Sequence, residues 1–139
     1  MNLLYVNPPF KGRFSRASRS PAIAKGGTLY YPVWLAQAAA TARSQGHSIQ
    51  FFDAPAQGLS CNDILSSLKT LKPEVAVFDT STGSLYSDLD LVRRFKDRYP
   101  NLVTVVVGTH PTARPEEVLE LSQYVDIVAR REYDYTIPE

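Results

Sequence analysis

Five short apolar runs, each followed by a stretch of helical period, constrain this chain more than any other feature. The runs are Leu3–Val6, His47–Asp53, Val75–Phe78, Leu102–Val107 and Val125–Ala129. Leu3–Val6 has no polar alternation, so it reads as a strand buried on both faces, in the middle of a parallel sheet. His47–Asp53 alternates, with Ile49, Phe51 and Asp53 on one side. Between the runs, apolar residues recur at helical spacing. Trp34, Leu35, Ala38, Ala39 and Ala42 form one such stripe, with Trp34 read as core; Ile64, Leu65, Leu68 and Leu71 form the next. Leu85, Leu89, Leu91, Val92 and Phe95 make a third, and Pro115–Leu121 a short fourth. Pro32 suits a first helical turn and Gly46 a helix end. Ser60 with Asp63 has the form of a capping box, and Pro73 closes that helix. Strands alternating with helices predict an α/β fold: an open five-stranded parallel sheet with right-handed crossovers and helices on both faces. Tyr133–Ile137 reads as the start of a further helix.

A length of 139 residues, 44% of them hydrophobic, suits a single domain spanning 1–139 with a real core. No apolar run approaches the eighteen or so residues that cross a bilayer, and no signal-peptide pattern follows Met1, so a cytoplasmic protein is expected. Cys61 is the one cysteine. It can form no internal disulfide and no cysteine metal cage.

The first strand does not pass to its helix through the usual two to six residues. It breaks at Pro8-Pro9 and runs to Tyr31 through a loop carrying Lys11, Arg13, Arg16, Arg19 and Lys25. Residues 1–52 contain no Asp or Glu and carry a charge of +6, against −5 for the rest. Such a loop either complements the acidic remainder or receives an anion. In open parallel sheets, ligands bind outside the carboxyl ends of the strands, at the switch point beside the first strand. The three distinctive loops, 7–30, 79–84 and 108–114, all fall on that edge.

Several familiar chemistries fit poorly. Gly26-Gly27 does not supply the Gly-x-Gly-x-x-Gly of a dinucleotide site, and no Walker loop is present. A flavin site of the flavodoxin kind wants a tight Ser/Thr loop after the first strand, whereas Thr80-Ser81-Thr82 follows the third. Asp79 ends the third strand where a phospho-receiver carries its aspartate. The acidic magnesium ligands expected after the first strand are replaced by Asn7-Pro8, and the fifth strand ends in Arg130-Arg131 without the Lys. Asp79 is therefore read as a turn or cap residue. His110 is the single candidate metal ligand and reads as a hydrogen-bonded surface residue. His47 is read as structural. Cys61 lies near a helix start, where the dipole lowers a thiol pKa, but no base is near and it takes no role.

Three segments resemble the N-terminal cobalamin (vitamin B12)-binding domain of cobalamin-dependent radical SAM proteins. They are NPPFKGRFSR…RSPA…KGGTLYYP within 7–32, DAPA at 53–56, and VVGTHPTA…PEE…VDIVARREYDYT from Val106 to Thr136. The resemblance covers essentially the whole chain. It implies a flavodoxin-like (Rossmann-like) fold with cobalamin on the carboxyl edge of the sheet. Asn7, Pro8, Pro9, Arg13, Thr80, Ser81, Thr82, Gly108, Thr109, His110 and Pro111 are then the expected cofactor-binding residues. The hydroxyls at 80–82 would meet the tail or the corrin amides, Gly108 would allow close backbone approach, and the basic loop would face the phosphate or a neighbouring domain. Classical cobalamin modules place a cobalt-ligating His in Asp-x-His-x-x-Gly after the first strand. Here that place reads Asn7-Pro8-Pro9-Phe10-Lys11-Gly12, so no His ligand comes from this loop. The family's Gly-Glu after the fifth strand stands as Arg131-Glu132, and its Gly-Gly before the His as Gly108-Thr109.

One cysteine cannot hold the four-iron cluster of radical SAM chemistry. The resemblance thus implies the cofactor-binding part of a longer enzyme, with methyltransferase-type chemistry residing in a catalytic barrel outside this chain. S-adenosylmethionine and the cluster would belong to that barrel. Taken alone the chain would bind and not catalyse. The expected partners are cobalamin and the barrel, with self-pairing through exposed apolar surface and without nucleic acid or membrane. The alternative, from a different class, is a stand-alone α/β signalling or protein-interaction domain without cofactor, whose basic loop docks a partner.

Overall fold

The computed structural model describes residues 1–17, 22–23 and 26–139; of 22–23 only the backbone is described. The expected Arg19 and Lys25 lie outside the described residues, as does Pro21 of the RSPA segment.

Five strands make the parallel sheet. They are β1 (Asn2–Asn7), β4 (Ser48–Asp53), β5 (Val75–Thr80), β6 (Val103–Gly108) and β7 (Ile127–Val128), in the order β4-β1-β5-β6-β7. The order reverses between β1 and β5, and the chain leaves those two strands toward opposite sides of the sheet. A pair in the first loop, β2 (Phe14–Ser15) and β3 (Ala22–Ile23), is antiparallel and separate from this sheet. Register runs from Asn2↔Ser48 to Asn7↔Asp53 and from Val75↔Val103 to Thr80↔Gly108. With Val6 opposite Phe78, the ends Asn7, Asp53, Thr80 and Gly108 fall within one residue of level on one edge.

Alternation along the inner strands divides the core in two. Leu4, Val6, Ala76, Phe78 and Val106 face α2 (Ala54–Gln57), α3 (Cys61–Leu71), α4 (Leu85–Arg98) and α6 (Pro115–Leu121). On the other face Leu3, Tyr5, Val77, Val105 and Val107 meet α1 (Val33–Ser44) and the C-terminal segment through Ala129 and Tyr133. Helices on both faces explain why β1, β5 and β6 are nearly apolar throughout. Ser60 caps α3 as expected: its Oγ accepts from the Asp63 N–H, and Asp63 accepts in return from the Ser60 N–H at 2.8 Å.

Some expectations are corrected. Trp34 is 66% exposed. The buried stripe of α1 is Leu35, Ala38, Ala39 and Ala42, and Trp34 stands one residue, about 100°, off that stripe. Asp79 is no turn residue, because β5 continues through Thr80. Residues Thr109–Ala113 form a short helix, α5, where a loop is expected. The fifth strand is ladder-paired only at Ile127–Val128. Tyr133–Ile137 is a turn closed by the Ile137 N–H on the Tyr133 carbonyl at 3.1 Å, not a helix. Among the described residues no helix is long and apolar enough to cross a membrane.

Candidate functional site

The carboxyl edge carries two adjoining compartments, one closed and polar, the other open. The closed one is built on Arg16. The loop leaving β1 turns back over the edge and inserts this side chain, leaving it 3% exposed. Its Nη2 and Nε donate to the two carboxylate oxygens of Asp88, at 2.5 and 3.3 Å. Nη1 donates to the Pro8 carbonyl at 2.6 Å and to Asn7 Oδ1 at 3.0 Å. The guanidinium also lies 5.4 Å from the centroid of the Phe14 ring. Asp88 accepts further bonds from Ser84 Oγ at 2.6 Å and Thr80 Oγ1 at 2.7 Å. Burial pushes the Asp88 carboxyl up from its ordinary value, while the Arg16 charge and its hydrogen bonds with Arg16, Ser84 and Thr80 pull it back. Every donor around Asp88 is arranged for a carboxylate. A paired, hydrogen-bonded ion pair of this kind survives desolvation; either half alone would not.

The open compartment is a cavity of about 590 Å³, within the range of small-molecule sites. Trp34, Leu35 and Gln37 of α1 form one wall, and Arg131–Asp134 the opposite one. Asp79 and Gly108, at the ends of adjacent strands, form its floor, with Thr109 and Thr112 beside them, and Arg16 of the closed cluster also reaches its lining. Gly108 has φ +114°, and a Cβ built there would fall 2.2 Å from the Thr80 carbonyl oxygen and 2.6 Å from Asp79 Oδ1. Only glycine leaves that floor open. Asp79 is buried, and its carboxyl is pushed up to about 7, chiefly by burial; Asp88 adds to the rise while Arg16 and the Thr80 N–H oppose it. The C-terminal wall is pinned from two sides. Gln37 Nε2 donates to Asp134 Oδ2 at 3.1 Å, and Thr112 accepts from the Arg131 N–H at 2.9 Å.

Some of the sequence-derived residues fall in these compartments and others lie outside both. Gly108 and Thr109 line the cavity. Asn7, Pro8, Thr80 and Ser81 belong to the closed cluster, where Ser81 Oγ lies 3.0 Å from Ser84 Oγ and Asn7 Nδ2 donates to Asp53 at 2.8 Å. Pro9 is half-buried next to it. Arg13 is exposed and donates to the Gly27 carbonyl at 3.2 Å. Thr82 and His110 meet at 3.1 Å between Oγ1 and Nδ1. His110, expected at the surface, is 5% exposed; its Nε2 lies 3.7 Å from Glu117 Oε2, and Pro111 is buried beside it. Arg16, expected among surface cations, is internal. Among the described residues no three His, Cys, Asp or Glu cluster as a metal site. The Cys61 thiol is raised, chiefly by burial, against the dipole expectation.

Sequence reasoning missed Asp79, Trp34, Gln37 and Tyr133 as cavity residues. For Asp79 a signal existed: an acid closing an otherwise apolar strand on the ligand edge, in register beside the residue before a glycine. The others come together only through helix rotation and the return of the chain after β7.

Comparison with known proteins agrees with this architecture. The family model described as B12 binding domain matches residues 19–139. An uncharacterized methyltransferase of Pyrococcus horikoshii is 27% identical over 139 residues, all of this chain and 28% of that protein. Anaerobic magnesium-protoporphyrin IX monomethyl ester cyclases are also similar. That of Rubrivivax gelatinosus is 28% identical over 73% of this chain and 18% of its own length. That of Cereibacter sphaeroides is 26% identical over 95% and 20% respectively. The chain thus spans less than a third of the length of these curated relatives. With its five-stranded parallel sheet, its β4-β1-β5-β6-β7 strand order and that match over most of its length, the chain belongs to the B12-binding domain family.

Proposed function

We propose that this chain is the cobalamin-holding module of a longer radical SAM enzyme of the methyltransferase type, with the corrin ring over the carboxyl edge of the sheet. The observation that carries the reading is the cavity at that edge, walled by Trp34, Leu35 and Tyr133 and kept open at its floor by Gly108. Its volume fits a nucleotide tail and not the ring, which would lie outside over the rim. Trp34 of the cavity wall is exposed, as are Tyr30, Tyr31 and Val33 close to it in sequence, and together they would offer an apolar face to the ring or to a covering barrel. When bound, cobalamin supplies a carrier for a methyl group; the residues of this chain hold and orient it.

The hydroxyls of Thr80 and Ser81 are engaged in the Arg16–Asp88 cluster. They would therefore support the site by fixing the loop, while Gly108, Thr109 and the cavity walls make contact. No histidine lies between Asn7 and Arg16, so the cobalt would take no ligand from this loop. Arg13, exposed, remains available to a phosphate, whereas Arg16, though it reaches the cavity lining, is committed to Asp88, Asn7 and Pro8. S-adenosylmethionine and an iron–sulfur cluster would belong to the remainder of the full-length enzyme, a cytoplasmic protein in this reading, whose barrel would be the main partner of this domain.

The test is direct. Purified chain mixed with hydroxocobalamin should co-elute with it on gel filtration and shift its visible spectrum. Cobalamin that elutes free, with its spectrum unchanged, would sink the reading and favour a cofactor-free interaction domain.

A further inference from the structure

The floor of the cavity ends in an uncovered acid. Asp79 is buried and lines the cavity, with the Thr80 backbone N–H favouring its charged form. Among the described residues no side chain donates to it. The charges that act on it, Arg16 from the first loop and Asp88 from α4, are bound to each other. Tyr133 faces it from the C-terminal segment, with Tyr5 of β1 close enough to act on Tyr133 in turn. β6 contributes only Gly108, whose missing side chain leaves Asp79 Oδ1 open, since a Cβ there would lie 2.6 Å away. A buried carboxylate without a cationic partner is costly, so the acid form is favoured. That form has one O–H to give, and the open direction is into the cavity.

We propose that Asp79 is a specificity-determining contact of this site, its carboxylic acid donating a hydrogen bond to the free ring nitrogen of the benzimidazole that ends the cobalamin tail. The inference rests on the cobalamin reading and deepens it. A benzimidazole displaced from cobalt is a flat ring with one in-plane lone pair, suited to a cavity with Trp34, Leu35 and Tyr133 on its walls and the Asp79 acid at its floor. One proton is shared between two groups that both lose it in alkali. Burial holds Asp79 half-protonated near neutrality, so its ionisation would set a negative charge against the ring lone pair. Affinity should then fall about tenfold for each pH unit above neutrality.

The experiment uses equilibrium dialysis of the chain against methylcobalamin and against methylcobinamide, which lacks the nucleotide tail, from pH 6 to 8.5. The expected result is a loss of methylcobalamin affinity of about fifteenfold between pH 7 and 8.5, with methylcobinamide flat. In Asp79→Asn the amide N–H donates at every pH, so methylcobalamin binding should become pH-independent. A flat methylcobalamin profile in the unaltered chain, an equal loss for methylcobinamide, or a slope that persists in D79N would overturn the inference and leave the cofactor reading standing. Failure to bind either corrinoid at any pH would overturn both.

Discussion

Two residues at the ends of neighbouring strands set the character of the site. Asp79 brings a proton into an apolar floor, and Gly108 gives up a side chain so that the proton stays accessible. Both have consequences for stability as well as binding. The folded Asp79 carboxyl sits at about 7, well above an unfolded aspartate near 3.9. Its stabilising contribution is complete below the unfolded value and is lost as pH rises through the folded one. The loss is of order 4 kcal/mol. The urea midpoint of the chain should therefore fall between pH 5 and pH 8, and D79N should remove most of that fall. A midpoint that drops equally in both proteins would place the titration elsewhere. Gly108→Ala puts a methyl group against the Thr80 carbonyl and demands a positive φ that alanine avoids. It should cost at least about 1–3 kcal/mol in urea denaturation.

At the scale of elements, the long first loop is held by one buried side chain. Arg16 reaches across 72 residues of sequence to Asp88 in the first turn of α4. Its two-pronged contact with the carboxylate fixes orientation as well as position. Arg16→Met should destabilise the chain by about 3–5 kcal/mol, because Asp88 is left buried and uncompensated. The double variant Arg16→Met/Asp88→Leu should recover much of that loss, and chemical denaturation of the three proteins distinguishes a true pair from two independent side chains. A double variant as unstable as R16M alone would mean that the remaining polar groups, not the ion pair, carry the cost.

This latch also marks the limit of what the sequence makes legible. Strands and helices announce themselves through local period, so β1, β4, β5, β6 and the stripes of α1, α3 and α4 are readable from neighbours three or four residues apart. The α3 capping box is readable for the same reason. The edge on which ligands would sit follows from strand order. A bond between residues 16 and 88 has no period, and nothing near Arg16 in sequence distinguishes it from Arg13, which is exposed. Trp34 misled because a helical stripe tolerates a neighbour at its margin, and the face that wins is decided by packing against Leu3 and Tyr5 on β1. The floor of the cavity was half visible: Gly108 as a place of close approach, Asp79 only once the register set it beside that strand end.

Over the whole molecule, the two cores and the cavity are one system, since α1 and the C-terminal segment cover a core and also wall the site. A ligand that binds only the folded chain stabilises it by mass action, by about 2.7 kcal/mol at a hundred times its dissociation constant. Cobalamin at that excess should raise the thermal midpoint, and cobalamin added to G108A should raise it less. Equal shifts in both would place binding away from the floor.

The central position of β1 has a further consequence, in time. Its six residues leave the ribosome before the other strands of this sheet, yet they are paired on one side by 48–53 and on the other by 75–78. At about 5–20 residues per second, this apolar strand waits several seconds for its second neighbour. Closing so long a loop is slow compared with forming a helix. Synthesis therefore leaves an apolar segment of the core unsheltered for that interval. The run of five cations that follows it, Lys11 to Lys25, keeps a like charge on every nascent copy through that interval and holds neighbouring chains apart.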